Sequence, residues 1–187
     1  MTSKALFLDR DGIINIDHGY AYKPEQIDFV PGIFDLCALF QSRGYLLIVV
    51  TNQSGIARGF YTEQDVIDLS AWMTQEFAQK GITITEFFYC PHHPEKGQGI
   101  YTTSCDCRKP SPGMLLNGIE KYRLVADECI MIGDKESDML AAHRAGLQRG
   151  YWIDHGKSDS DVSNQLGNGF ATYQDMASVI QSVRATV

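Results

Sequence analysis

The sequence predicts an α/β fold built on a mostly parallel sheet. Two observations carry that prediction. Short apolar runs that end in acidic or polar turn residues recur along the chain, and stretches with helical apolar spacing separate them. Parallel neighbours need a crossover between them, usually a helix, so strands alternating with helices imply a parallel sheet.

The elements follow in order. KALFLD, residues 4–9, is an apolar run ending in acid. Residues 32–43 put Ile33, Leu36, Leu39 and Phe40 on one helical face, and Gly44 follows as a stop. YLLIVVTN, residues 45–52, is a continuous β-branched run, as in a strand buried on both faces. Residues 62–80 open on Thr62 and Glu63, carry Val66, Leu69, Trp72, Met73 and Phe77 at helical spacing, and stop at Gly81. TEFFYC (85–90) is a third strand. Residues 112–123 form a helix beginning with Pro112, a favoured first-turn residue. ECIMIGD (128–134) is a fourth strand, residues 136–145 a helix before Gly146, and GYWID (150–154) a fifth strand. The polar segment 155–168 reads as a surface loop or a frayed short helix, with a closing strand and helix after it. With 187 residues and no repeat or linker, a single domain over 1–187 is expected. A chain this long buries about 70% of its unfolded surface, enough for a core without staples.

Bulk properties exclude several classes. A net charge of −7 argues against nonspecific nucleic-acid binding, which needs a basic face. No apolar run approaches the ~20 residues of a membrane-spanning helix. MTSKALFLDRDG carries neither the long apolar stretch nor the cleavage site of a signal peptide. The expectation is a cytoplasmic protein with no membrane or nucleic-acid partner. Nothing demands an oligomer, so a monomer is expected. Five cysteines in a reducing compartment suggest metal rather than disulfides. Cys37 and Cys129 lie in apolar runs and read as small core residues.

Three strand ends deliver polar groups to one rim. FLDRDG ends the first strand with Asp9 and Asp11, VVTNQSG the second with Thr51 and Asn52, and MIGDKESD a later one with Asp134, Lys135 and Asp138. Ligands of open α/β sheets bind beyond the carboxyl ends of the strands. Turn chemistry accounts for any one of these stretches. All three in this order, with Lys109-Pro110 between the second and third, point to a site instead. A second cluster packs Cys90, Cys105 and Cys107 with His92 and His93 into eighteen positions, CPHHPEKGQGIYTTSCDC. Three thiolates and one imidazole make a closed, structural zinc site. Zinc would clamp a loop too long and polar to order itself, and a fixed Cys107 would aim the adjoining Arg108 and Lys109.

DRDG, VVTN, RKP and GDKESD, in that order over residues 9–138, resemble the four signature motifs of the haloacid dehalogenase superfamily of phosphatases. Ile13 departs from the Thr or Val common there. The resemblance implies a Rossmann-like, doubly wound sheet. It implies that Asp9 attacks phosphorus and that Asp11 protonates the leaving alcohol, then activates water. A carboxylate approaching a phosphate dianion at ~4 Å meets roughly 8 kcal/mol of repulsion at an effective dielectric of ~20. Mg²⁺ on the Asp9 and Asp134 carboxylates and the Asp11 backbone carbonyl is implied to offset most of it, with help from Lys109 and Thr51. Asp138 is expected to orient its neighbours rather than bind the metal.

The resemblance narrows further. FLDRDG, DHGY (17–20), VVTNQSGIARG (49–59), CPHHP, CDCRKP, PGMLL and GDK closely resemble the branch of this superfamily that removes the 7-phosphate of a heptose 1,7-bisphosphate and keeps the 1-phosphate. That branch uses His92, with Cys90, Cys105 and Cys107, for zinc. It implies Arg108 and Lys135 as contacts for the retained anion. Asp17, His18, Gly19 and Tyr20, with Asn52, Gln53 and Ser54, would touch the sugar. It also implies no large cap, leaving specificity to short loops. The alternative is the histidinol-phosphate phosphatase branch, whose zinc loop is typically shorter than the twelve residues between His92 and Cys105. A receiver-like switch would share Asp, Lys and Mg²⁺, but Asp11 would discharge the phosphoryl group that a switch must retain. End-processing of nucleic acid is disfavoured by the acidic charge.

Overall fold

The computed structural model describes residues 3–155 and 162–185. Its six strands are β1 (Lys4–Leu8), β2 (Tyr45–Asn52), β3 (Ile84–Cys90), β4 (Ile130–Gly133), β5 (Arg149–Ile153) and β6 (Phe170–Tyr173). They pair in the order β3-β2-β1-β4-β5-β6, and every pair is parallel. The helices are α1 (Ile33–Ser42), α2 (Glu63–Gln79), α3 (Gly113–Tyr122), α4 (Glu136–Arg144), α5 (Val162–Leu166) and α6 (Met176–Ala185).

The central strands are buried on both faces, as their unbroken apolar runs require. In β1, Leu6 and Leu8 face α1, α2 and α6, where Ile33, Phe40, Met73, Phe77 and Val179 close the layer. Ala5 and Phe7 face the opposite way, toward Met114 and Leu115 of α3 and Met139 and Ala142 of α4. Each large apolar side chain so enclosed stabilises the fold by roughly 1.5–3 kcal/mol. β3 is an edge strand, and most of its side chains are only half-buried.

Local signals set the ends. The Thr62 hydroxyl accepts from Asp65 N–H, and the Asp65 carboxylate accepts from Thr62 N–H, so α2 starts with a reciprocal cap. β4 is shorter than the apolar run at 128–134 because Ala126–Glu128 form a 3₁₀ turn first. Of the polar segment 155–168, Val162–Leu166 form the short helix α5, and residues 156–161 lie outside the described residues. β6 and α6 are the expected closing pair, with Met176, Val179 and Val183 buried.

The chain moves outward from β1 to β3, then restarts at β4 on the other side of β1. The β1/β4 boundary is therefore the switch point where a crevice opens. Among the described residues no large cap stands over it, and no helix is long and apolar enough to cross a membrane.

Candidate active site

Asp9 follows β1 and Asp134 follows β4, so the reversal of strand order brings both carboxylates to one crevice. Gly12 permits the approach: its φ is +94°, and a Cβ there would run into the Asp134 carboxyl. Carboxylate oxygens of Asp9, Asp134 and Asp138 lie within 4.8 Å of one another.

Lys109, in the segment between β3 and α3, reaches this group beside the end of β2. Its Nζ lies 2.8 Å from Asp9 Oδ1, 2.6 Å from Asp138 Oδ1 and 2.7 Å from the Val50 carbonyl. Two of these contacts, to Asp9 and to the Val50 carbonyl, are hydrogen bonds, and the third is an ion pair with Asp138. Burial alone would favour loss of the proton, but Asp138 and Asp9 outweigh it and raise the lysine above its ordinary value. Asn52 sets the height of the lysine: its Oδ1 accepts from Lys109 N–H and its Nδ2 donates to the Lys109 carbonyl, both at 3.0 Å. Both amide functions expected at the sugar thus hold the Lys109 backbone.

The two catalytic-motif aspartates differ in electrostatics. Burial pushes Asp9 up to about 7, against the pull of Lys109 and with help from Asp138 and Asp134. Burial also acts on Asp11, but the Arg10 guanidinium and hydrogen bonds from Arg10, Asn15 and Gln53 win, holding it below its ordinary value. Arg10 Nη2 lies 2.9 Å from both Asp11 oxygens and donates to the Ala21 carbonyl at 2.8 Å. Asn15 and Gln53 donate to Asp11 at 3.1 and 3.0 Å.

The donors fit a hard cation. Burial raises Asp134 above its ordinary value, and its Oδ1 is buried with no hydrogen-bond partner among the described residues. Lys135 Nζ stands 3.9 Å from that oxygen. Clustered carboxylates with an orphaned buried oxygen are what Mg²⁺ requires. Asp138 joins the cluster geometrically, but its carboxylate is committed to Lys109 and, at 3.1 Å, to the Lys135 N–H that opens α4.

The side chains of Cys90, His92, Cys105 and Cys107 group together, their ligand atoms within 4.8 Å of one another. Cys105 Sγ lies 3.5 Å from Cys90 Sγ and 3.2 Å from Cys107 Sγ, and His92 Nδ1 lies 3.7 and 3.4 Å from Cys90 and Cys107. Zinc–sulfur bonds of ~2.3 Å imply tetrahedral edges near 3.8 Å, so these edges suit the ion. The Cys90–Cys107 edge, 2.7 Å, would open around it. His93 is used differently: its Nδ1 accepts from the backbone N–H of Glu95 and Lys96 at 3.1 and 2.8 Å. The close contact of Cys90 and Cys107 lowers the Cys107 thiol and raises that of Cys90, so of this pair Cys107 is the first to ionise. Arg108 is tied to the same loop, donating to the His92 carbonyl at 3.1 Å.

A cavity of about 610 Å³ gathers most of the predicted residues, a volume ordinary for a small-molecule site. Asp9, Asp11, Thr51 and Lys109 line it. So do Asp17, Gly19, Tyr20, Asn52, Gln53, Ser54, Arg108 and Lys135. His18 does not line it and pairs with Asp28 at 2.7 Å. Three residues were not anticipated: Arg10, Asn15 and Tyr61. Arg10 had a signal, being a cation between two aspartates at the end of an apolar strand. Tyr61 had none in the sequence itself.

A parallel sheet whose switch point joins an Asp-x-Asp strand end, a buried lysine and a second acidic strand end defines a haloacid dehalogenase-type hydrolase. A family model for HAD-hydrolase-like proteins matches residues 106–179. The D-glycero-beta-D-manno-heptose-1,7-bisphosphate 7-phosphatase of Vibrio cholerae is 46% identical over 89% of each chain. The D-glycero-alpha-D-manno-heptose-1,7-bisphosphate 7-phosphatase of Campylobacter jejuni is 44% identical, covering 90% of this chain and 92% of its own. Among solved structures, the D,D-heptose 1,7-bisphosphate phosphatase of B. bronchiseptica, complexed with magnesium and phosphate, aligns with TM-score 0.81 and 28% identity over 100% of both chains. The chain belongs to the D-glycero-D-manno-heptose-1,7-bisphosphate 7-phosphatase family.

Proposed function

We propose that this chain hydrolyses the 7-phosphate of D-glycero-D-manno-heptose 1,7-bisphosphate and releases heptose 1-phosphate for nucleotide-activated heptose synthesis. One observation carries the chemistry: a buried Asp9 held 2.8 Å from Lys109 opens on the same crevice as an Asp11 gripped by Arg10. The relatives supply the substrate. Histidinol phosphate, the rival substrate, is not favoured by them.

An Asp9 oxygen bonds to phosphorus as the bond to the sugar O7 breaks. Asp11 gives its proton to O7, then takes one from the water that frees Asp9. The lowered Asp11 is ionised in the free protein, the form in which its second duty begins; an arriving phosphate dianion opposes Arg10 and helps Asp11 take up the proton that its first duty needs. Lys109 exchanges one of its three protein contacts for a phosphoryl oxygen, and the Thr51 hydroxyl donates to another. The Asp9 and Asp134 carboxylates and the Asp11 backbone carbonyl would hold Mg²⁺, which would supply most of the charge that offsets the repulsion. Cys90, His92, Cys105 and Cys107 would hold zinc, which would serve structure alone. Arg108 and Lys135 hold the retained phosphate, Arg108 with a fork suited to two oxygens. Asp17, Gly19, Tyr20 and Ser54 contact the sugar, while His18 serves the turn. This reading keeps the chain cytoplasmic and monomeric, on the sequence argument given above.

Phosphate release with Mg²⁺ from α- and β-heptose 1,7-bisphosphate and from histidinol phosphate tests the proposal. The expected result is a preference for one bisphosphate of a hundredfold or more in kcat/KM, about 2.7 kcal/mol in transition-state binding, which also names the anomer. In the same assay Asp9→Asn retains less than about 1% of turnover with an unchanged circular dichroism spectrum. A preference for histidinol phosphate overturns the substrate; an active Asp9→Asn overturns the nucleophile.

A further inference from the structure

Gln53 is 1% exposed, and each end of its amide is engaged. Its Nε2 donates to Asp11 Oδ2 at 3.0 Å and to Thr51 Oγ1 at 2.8 Å, while its Oε1 accepts from the Tyr61 hydroxyl at 2.6 Å. The neighbours fix which end is which. An ionised carboxylate only accepts, so the NH₂ end must face Asp11. The oxygen end then needs a donor, and Tyr61 supplies it. A hydroxyl that accepts from Gln53 keeps its own proton to give, so Thr51 remains a donor toward a phosphoryl oxygen.

Tyr61 is itself fixed. Its ring stacks on Tyr22, with centroids 5.3 Å apart and planes 21° apart. A side chain at Gly55 would strike that ring, so the glycine in QSGIARG makes room for it. Burial pushes the phenol up to about 12, which keeps it protonated and able to donate.

We propose that Tyr61 and Gln53 are positioning residues for this reaction: Tyr61 locks the orientation of the Gln53 amide, and the amide locks the Asp11 carboxylate against the Thr51 hydroxyl. The proposal rests on Asp11 being the acid. Without the Tyr61 hydroxyl Oε1 loses its donor, and the buried amide is held only at its Nε2 end, so it shifts and no longer fixes Asp11 Oδ2. Asn15 and Arg10, the latter on both oxygens, would still hold the carboxylate, so the acid would be misaimed rather than lost.

The test is leaving-group dependence. A sugar alkoxide departs only if protonated, whereas p-nitrophenolate departs without an acid. Tyr61→Phe is expected to lower kcat/KM for heptose 1,7-bisphosphate about tenfold, with KM unchanged and p-nitrophenyl phosphate within about twofold of wild type. Gln53→Leu is expected to lose more on the bisphosphate, and Tyr61→Phe added to it should cost nothing further, because Tyr61 acts only through Gln53. Equal losses on both substrates would mean general loosening and overturn the proposal. Additive losses, or a raised KM, would mean that Tyr61 touches the sugar directly and overturn it too. Should Tyr61→Phe not fold, Gln53→Glu, which keeps the Tyr61 acceptor but faces Asp11 with a carboxylate, must show the same leaving-group selectivity. Asp11→Asn separates the two readings. If it is mild on the bisphosphate, the acid assignment fails; if it is severe while Tyr61→Phe is harmless, only this proposal fails.

Discussion

Gly12 shows how a single missing side chain brings two strand ends together. At φ +94° a non-glycine residue costs about 1–3 kcal/mol, and here a Cβ would also displace the Asp134 carboxyl. Gly12→Ala is therefore expected to lower stability by that amount and to abolish the protection that Mg²⁺ gives against thermal unfolding. A melting curve with and without Mg²⁺ checks both, and a retained Mg²⁺ response would show that Asp134 can hold the ion from a shifted position. At this scale DRDG and GDKESD were legible because they are contiguous. The duty of Asn52 was not: holding the Lys109 backbone across 57 positions leaves no trace in the local sequence.

The cysteine loop is the element whose order depends on side-chain chemistry rather than on a core. Only Cys90 of its four predicted ligands is buried. A second tie exists: Tyr101 from the loop and Tyr89 from β3 both donate to Glu63 at the start of α2, at 2.6 and 2.7 Å. Those bonds hold Glu63 below its ordinary value. Cys107→Ser is expected to remove the zinc and speed proteolytic cutting within 91–106, while the sheet stays intact. It should also lower kcat, since Arg108 and Lys109 lose their anchor. Metal analysis with limited proteolysis checks this, and a tightly bound zinc in the variant would mean a different ligand set. The loop's composition made the cluster legible. Spacing left His92 and His93 both open and the family resemblance favoured His92; the fold turns the His93 ring into a backbone acceptor.

At the scale of the molecule, the switch-point crevice concentrates four aspartates, Asp9, Asp11, Asp134 and Asp138, against Arg10, Lys109 and a largely exposed Lys135. The folded protein should therefore take up Mg²⁺ far better than the unfolded chain. At a hundredfold excess over Kd that is worth about 2.7 kcal/mol, or roughly 5–10 °C in Tm for a domain of this size. Asp134→Asn should flatten the response, and a Tm in wild type that ignores Mg²⁺ would remove the metal from this crevice.

The sequence by itself determined the alternation of strands and helices, the burial of β2 on both faces, the acidic and basic strand-end motifs and the clustering of cysteine and histidine in one loop. These rest on periodicity and on contiguous chemistry, which need no knowledge of distant neighbours. Only the tertiary structure decided the strand order that sets Asp9 beside Asp134, the commitment of Asn52 to Lys109, and the chain from Tyr61 through Gln53 to Asp11. Those depend on groups that meet across the sheet or from loops packed against it. Hydrogen-bond geometry between such groups is fixed by packing, not by spacing along the chain.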